Sequence, residues 1–155
     1  MPTVSPVPQG QSALVPHLIA KNCAKAIDFY KLAFGATEEF RLVEPSGKIG
    51  HAELRIGGAL IMLADEYPDF GAVSPPSVGG CPVKLQLYVT DADAAVARAV
   101  AAGATVVREA KTEFYGDRTA TVADPFGYTW QIASRVENLS PAEMQARWNK
   151  MMQWS

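Results

Sequence analysis

The order strand, helix, strand, strand, strand is spelled out twice along this chain, and a repeated order of elements restricts the possible folds more than any single motif does. In the first half, Leu14 to Ala20 predict a short apolar strand. Asn22 is a helix N-cap, and Ala26, Phe29, Tyr30 and Ala33 recur at helical spacing up to Gly35, which suits a left-handed stop. Thr37 to Glu44 predict a strand, Pro45-Ser46-Gly47-Lys48 a turn, and Ile49 to Ile56 alternate Ala52, Leu54 and Ile56 with His51, Glu53 and Arg55. Gly57-Gly58 then closes a hairpin into Ala59 to Ala64.

The second half repeats the order. Val83 to Thr90 alternate, Asp91 or Thr90 caps an alanine-rich helix ending at Ala102 and Gly103, and strands follow over Thr105 to Ala110, Arg118 to Ala123 and Tyr128 to Ser134. Gly35-Ala36-Thr37 and Gly103-Ala104-Thr105 are identical and stand at the same place in both halves. The last hairpin turns at Asp124-Pro125-Phe126-Gly127, after which Trp130 and Ile132 face one way and Thr129, Gln131 and Ala133 the other. These patterns predict an α+β chain of two tandem βαβββ modules, residues 14–64 and 83–135, with a C-terminal helical tail over 136–155.

Two other stretches read differently. Residues 1–13 are proline-rich and uncharged, an extended or mobile arm, and residues 65–82 carry Pro and Gly without periodicity, a linker and potential lid. In the tail, Ser140-Pro141-Ala142-Glu143 is a capping box, and Met144, Trp148, Met151 and Met152 form an apolar stripe behind it. That stripe packs either on the chain's own core or on a second copy, which makes a homodimer the expected assembly.

Composition narrows the partners. Hydrophobic residues make up 48% and charged ones 19% of 155 residues, and a net charge of −2 gives no electrostatic reason to seek nucleic acid or an anionic membrane. No apolar run approaches a membrane span, and the start Met1-Pro2-Thr3-Val4-Ser5 lacks the basic end and apolar middle of a signal peptide, so a cytoplasmic location is expected. Cys23 and Cys81 form neither a metal spacing nor a disulfide framework and are read as free thiols.

The paired modules, the helix Ala26-Ile27-Asp28-Phe29-Tyr30-Lys31-Leu32-Ala33-Phe34-Gly35 and the ending Asp124-Pro125-Phe126-Gly127-Tyr128-Thr129-Trp130 resemble the vicinal-oxygen-chelate superfamily of glyoxalase I, bleomycin-resistance proteins and extradiol dioxygenases. His51-Ala52-Glu53-Leu54-Arg55-Ile56-Gly57-Gly58, Phe114-Tyr115-Gly116-Asp117-Arg118 and Leu139-Ser140-Pro141-Ala142-Glu143-Met144 are similar to its PhnB-like branch. The resemblance implies that each module curls its sheet and that the two sheets surround a shared cleft, where metal-using members hold a divalent ion with His and Glu. The positions matching those ligands are Val15, Met62, Lys84 and Gln131. Valine offers no donor, methionine only a thioether, and an ammonium repels the ion, so neither a metal nor another cofactor is expected.

With the metal set aside, the strand faces turned from the helices carry His17, His51, Glu53, Arg55, Met62, Lys84, Gln86, Tyr88, Thr121 and Gln131. Glu53 and His51 are the candidate acid–base pair, because imidazole is the side chain that ordinarily titrates nearest neutrality and a desolvated carboxylate can act as a base. His17, Lys84, Gln86, Tyr88, Gln131, Met62 and Arg118 are candidate ligand-binding residues, with Lys84 able to hold a carboxylate or polarise a carbonyl. An ion pair of Glu53 with Lys84 or Arg55, and one of Arg118 with Asp117, are the structural alternatives. The expected function is binding of a small polar or aromatic molecule in a metal-free cleft, with sequestration and turnover both open. The alternative is a divalent-metal-dependent lyase, isomerase or dioxygenase with a non-standard ligand set, such as His17, His51 and Glu53.

Overall fold

The structure, a computed structural model, describes residues 3–153. The chain divides into two compact units: residues up to Pro82 together with Pro125–Gly127, and Val83–Asp124 together with residues from Tyr128 onward. Each holds a four-stranded mixed sheet.

In the first unit, β1 (His17–Ala20), β2 (Thr37–Val43), β3 (Ile49–Ile56) and β4 (Ala59–Asp65) lie in the order β1-β4-β3-β2, with β1 parallel to β4 and the other pairs antiparallel. A parallel pair needs a crossover, and α1 (Cys23–Phe34) opens the connection that supplies it. The Asn22 side chain accepts from Lys25 N–H at 3.2 Å, and Gly35 ends the helix at φ 67°. The inner face of α1 buries Cys23, Ala26, Ile27, Phe29, Tyr30 and Ala33, and Leu54 and Leu63 are fully buried on the sheet. Each large side chain so buried contributes about 1.5–3 kcal/mol.

In the second unit, β5 (Lys84–Tyr88), β6 (Thr105–Thr112), β7 (Asp117–Ala123) and β8 (Thr129–Arg135) repeat the order as β5-β8-β7-β6. Its helix α3 (Ala92–Ala102), capped by the Asp91 side chain on Ala94 N–H, buries only Ala92 and Ala99. Alanines bring a helix close to a sheet, whose Val122, Trp130 and Ile132 fill the interior.

A buried aspartate fastens each sheet. Asp65 accepts the N–H groups of Cys23 at 2.9 Å and Ile49 at 2.7 Å, and Asp124 accepts Tyr128 N–H at 3.0 Å and the Trp130 indole N–H at 2.9 Å. The expected turn after Asp124 closes at Gly127, φ 96°, where an added Cβ would lie 2.8 Å from Cβ of Pro75. Burial pushes the Cys23 thiol up to about 12, with the Asp65 charge adding to it, which makes the thiol inert.

The stretches expected to be irregular contain local order. Residues 1–13 were expected as an arm; Met1 and Pro2 lie outside the described residues, and the rest carries a turn in which Gln11 N–H bonds Pro8 C=O at 3.3 Å with Gly10 at φ 77°. Between β4 and β5 the chain forms a 3-10 turn over Pro68–Phe70 and the short α2 (Pro75–Val78). Glu66 gathers the Ser74 N–H and the Ser74 and Ser77 hydroxyls, and these donors hold its carboxyl well down, at about 2. β1 starts at His17 and not at Leu14, because Pro16 cannot donate to a ladder.

The terminal helix α4 (Pro141–Met152) has its reciprocal capping box, Ser140 with Glu143, but none of its residues is buried. Arg147 holds it, bonding Glu137 and the Phe114 carbonyl at 3.0 Å, and Trp148 lies 5.5 Å from the Phe114 ring. Among the described residues no helix is long and apolar enough to cross a membrane.

Candidate functional site

Register builds a polar row across the first sheet. His17 pairs with Met62, Met62 with Glu53, and Glu53 with Phe40, so one residue from each of the four strands stands in line on the face away from α1. His51 and Arg55 flank Glu53 on the same face, since strand side chains alternate. His51 Nε2 lies 2.8 Å from Glu53 Oε2, the His17 and His51 rings meet edge-on at 5.9 Å, and Phe40 tilts against His51 at 5.7 Å. From the N-terminal segment, Gln11 Nε2 approaches the other Glu53 oxygen at 3.4 Å.

Glu53 is only 9% exposed, so its charge has traded water for these partners. With the carboxylate ionised, the hydrogen between it and His51 belongs to Nε2, and Nδ1 keeps a lone pair that can take a proton. Glu53 then orients the imidazole. Partial burial lowers the His17 pKa from its ordinary value, and the neighbouring His51 lowers it further.

The second sheet carries the corresponding row, Gln86, Gln131, Thr121 and Arg108, again one residue per strand. Lys84 and Tyr88 flank Gln86 on β5 and are exposed. Gln131 Nε2 lies 3.5 Å from the Tyr115 hydroxyl, and the Tyr88 hydroxyl donates to Asp117 at 2.7 Å. Arg108 bonds Glu113 at 3.0 Å and the Thr119 hydroxyl at 2.6 Å.

The register thus gathers His17, His51, Glu53 and Met62 on one face, and Lys84, Gln86, Tyr88 and Gln131 on the other. Arg118 departs from the expectation. Its guanidinium grips Asp93 of α3 at 2.6 and 3.0 Å, because position 118 alternates onto the helix side of β7. Its partner is not Asp117 and it does not reach the ligand face. Arg55 is committed as well, to Glu39 at 2.6 Å, and Glu53 pairs with His51 in place of Arg55 or Lys84.

Three residues of these faces escape a reading of the sequence. Phe40 enters the row because β2 shifts register between Glu38 and Phe40, and simple alternation from Thr37 puts it on the other side. Gln11 follows from the Pro8 to Gln11 turn, which Gly10 could have signalled. Asp117 is reached by Tyr88 from two strands away, and nothing local marks that pairing.

Neither unit offers a divalent ion the donors it needs at the positions singled out in the sequence. In the first, Val15, half-buried, precedes β1 and Met62 brings a thioether; in the second, Lys84 brings a cation and Gln131 an amide. His17, His51 and Glu53 share a face, but His51 Nε2 is spent on the carboxylate, and no group of three or more His, Cys, Asp or Glu among the described residues is placed to hold a metal.

Two four-stranded sheets of equal order, each with a crossover helix, match a family. A model described as the Glyoxalase/Bleomycin resistance protein/Dioxygenase superfamily covers residues 12–132. The chain belongs to that superfamily. It is 45% identical over 139 residues to an uncharacterized protein of Mycobacterium tuberculosis, spanning 88% of this chain and 82% of that protein. The solved structure of the Arabidopsis thaliana gene product At5g48480 superposes with a TM-score of 0.65 at 32% identity, over 79% of this chain and 98% of that one. The PhnB protein of Bacillus cereus, at 15% identity and a TM-score of 0.62 over 79% of this chain and 99% of its own, shares the fold.

Proposed function

We propose that this superfamily member binds a small polar or aromatic molecule without a metal, and that His51 and Glu53 form the acid–base pair of its site. The observation that carries the reading is the His51 Nε2 to Glu53 Oε2 contact of 2.8 Å on a half-open sheet face. His17, Met62 and Phe40 give that face an aromatic and thioether floor suited to a flat ligand. On the second sheet Lys84, Gln86, Tyr88 and Gln131 form a face of their own with polar groups for a ligand, and Arg118, bound to Asp93, lies off it.

Held by Glu53, His51 can accept a proton at Nδ1 from an acidic C–H, O–H or N–H group and return it. The adjacent carboxylate stabilises the imidazolium that forms. Sequestration requires only the binding half of this arrangement, and turnover requires both halves.

A thermal-shift screen of aromatic acids, thiol adducts and glycopeptides tests the reading, since a ligand that prefers the native state raises its melting temperature. Glu53→Gln and His51→Asn should keep the fold and abolish turnover of any hit that reacts, by about 100-fold or more. The purified protein should hold no stoichiometric metal, and EDTA should leave both melting temperature and binding unchanged. About one tightly held ion per chain would overturn the proposal.

A further inference from the structure

On the second sheet, Asp117 is a buried acidic residue to which the proposed site gives no role. It opens β7, pairs in register with Arg135, and is 2% exposed. Its Oδ2 accepts the Tyr88 hydroxyl at 2.7 Å. Its Oδ1 is the one buried side-chain oxygen or nitrogen among the described residues without a hydrogen bond, with Arg135 Nε at 3.6 Å, near enough for attraction and too far to donate.

Burying a carboxylate is costly, and a tyrosine that only covered a sheet would not need one beneath it. The path between the two is open by design of the register. Tyr88 pairs with Ala133 and Ala133 with Thr119, so beside the ring the separating strand offers a methyl group, and its Arg135, two residues on, pairs with Asp117 itself.

An ionised carboxylate can only accept, so the Tyr88 proton must point inward and the phenol oxygen is left to accept on its outer side. Gln86 stands two residues away on the same face, beside that phenol. A single buried acceptor fixes the direction of the Tyr88 hydroxyl.

We infer that Asp117 is a positioning residue: through Tyr88 it makes this point of the face an acceptor, selecting ligands that present a hydroxyl or N–H donor there. The selectivity rests on the proposal that this face meets the ligand; the orientation of Tyr88 does not. Tyr88 is 54% exposed, so its outer side is free to meet one. The phenol pKa is raised, first by the hydrogen bond to Asp117, then by burial and the Asp117 charge, while Arg135 and Gln86 pull it down.

The test uses the full chain with ζ-carbon-labelled tyrosine, the Tyr88 signal being assigned with Tyr88→Phe. Tyr88 should titrate above the ordinary tyrosine range. In Asp117→Asn its titration should fall toward the ordinary tyrosine range, and Asp117→Glu should restore it. A Tyr88 that titrates in the ordinary range in the native protein overturns the inference, and this measurement stands even where Asp117→Asn fails to fold. Phenol and its methyl ether, anisole, then serve as probes. Phenol alone should shift the Tyr88 signal, and equal shifts from both would overturn the selectivity. No shift from either, with the Tyr88 titration as expected, would overturn the ligand-binding role of this face and uphold the Tyr88 orientation.

Discussion

The two sheets place unlike residues at corresponding points. Where the first lines up His17, Met62, Glu53 and Phe40, the second lines up Gln86, Gln131, Thr121 and Arg108. Both outer rows arise from register shifts at the same place, between Glu38 and Phe40 in β2 and between Val106 and Arg108 in β6. Beside the first row His51 pairs an imidazole with the Glu53 carboxylate, whereas the second row carries amides and a hydroxyl. A duplicated backbone has kept its hydrogen-bond ladder and lost its chemical symmetry. Ladder bonds are made by the main chain and constrain side chains only through size and alternation.

The largest way to break the comparison lies in the helices. α1 meets its sheet with Phe29, whose ring sits 5.5 Å from Tyr30 and 6.0 Å from Phe34, while α3 meets its sheet with alanines. Phe29→Ala should cost about 3–5 kcal/mol in urea unfolding through lost contact and a cavity. Ala99→Leu should cost about 1–3 kcal/mol by overpacking. Equal and small losses would show that both helices pack loosely and that the contrast in their filling is false.

Similar in size, and expected to be alike in both units, is the loss of the buried aspartates. Asp65→Ala and Asp124→Ala each strand two donors, with about 1–3 kcal/mol for each donor left unsatisfied. Unequal losses in calorimetry would mean that water replaces one carboxylate and not the other, a difference between the halves that the shared topology does not anticipate.

What could be read from the chain and what could not divide along the same line. Element order, the caps at Asn22, Asp91 and Ser140, and the inward residues Leu54, Trp130 and Ile132 follow from local spacing. Membership of the superfamily, read from those motifs, is borne out by the match over residues 12–132. The pairings Arg118 with Asp93, Arg55 with Glu39 and Tyr88 with Asp117 join residues far apart in sequence. Each depends on strand order and on which side of a bulge a residue falls. Alternation correctly put His51 and Glu53 on one face, but the choice of His51 over Arg55 or Lys84 as the partner of Glu53 needed side-chain geometry.

The finest test of the asymmetry is its pH signature, because the first row places an imidazole where the second places the untitratable Gln86. His17 has its folded pKa lowered below 6.5, by burial first and by His51 second. Below that ordinary value the unfolded chain binds the proton more readily than the folded one, so this group's stabilisation is complete above 6.5. It is lost as pH falls through 6.5 toward the folded value. His17→Gln, which copies the second sheet's residue, should therefore flatten the fall of the urea midpoint between about pH 7 and about pH 5. The same exchange leaves Glu53 and His51 in place, so a variant that keeps the full slope would assign it to those two. Proton sensitivity would then belong to the candidate acid–base pair, and His17 would serve the face through its ring alone.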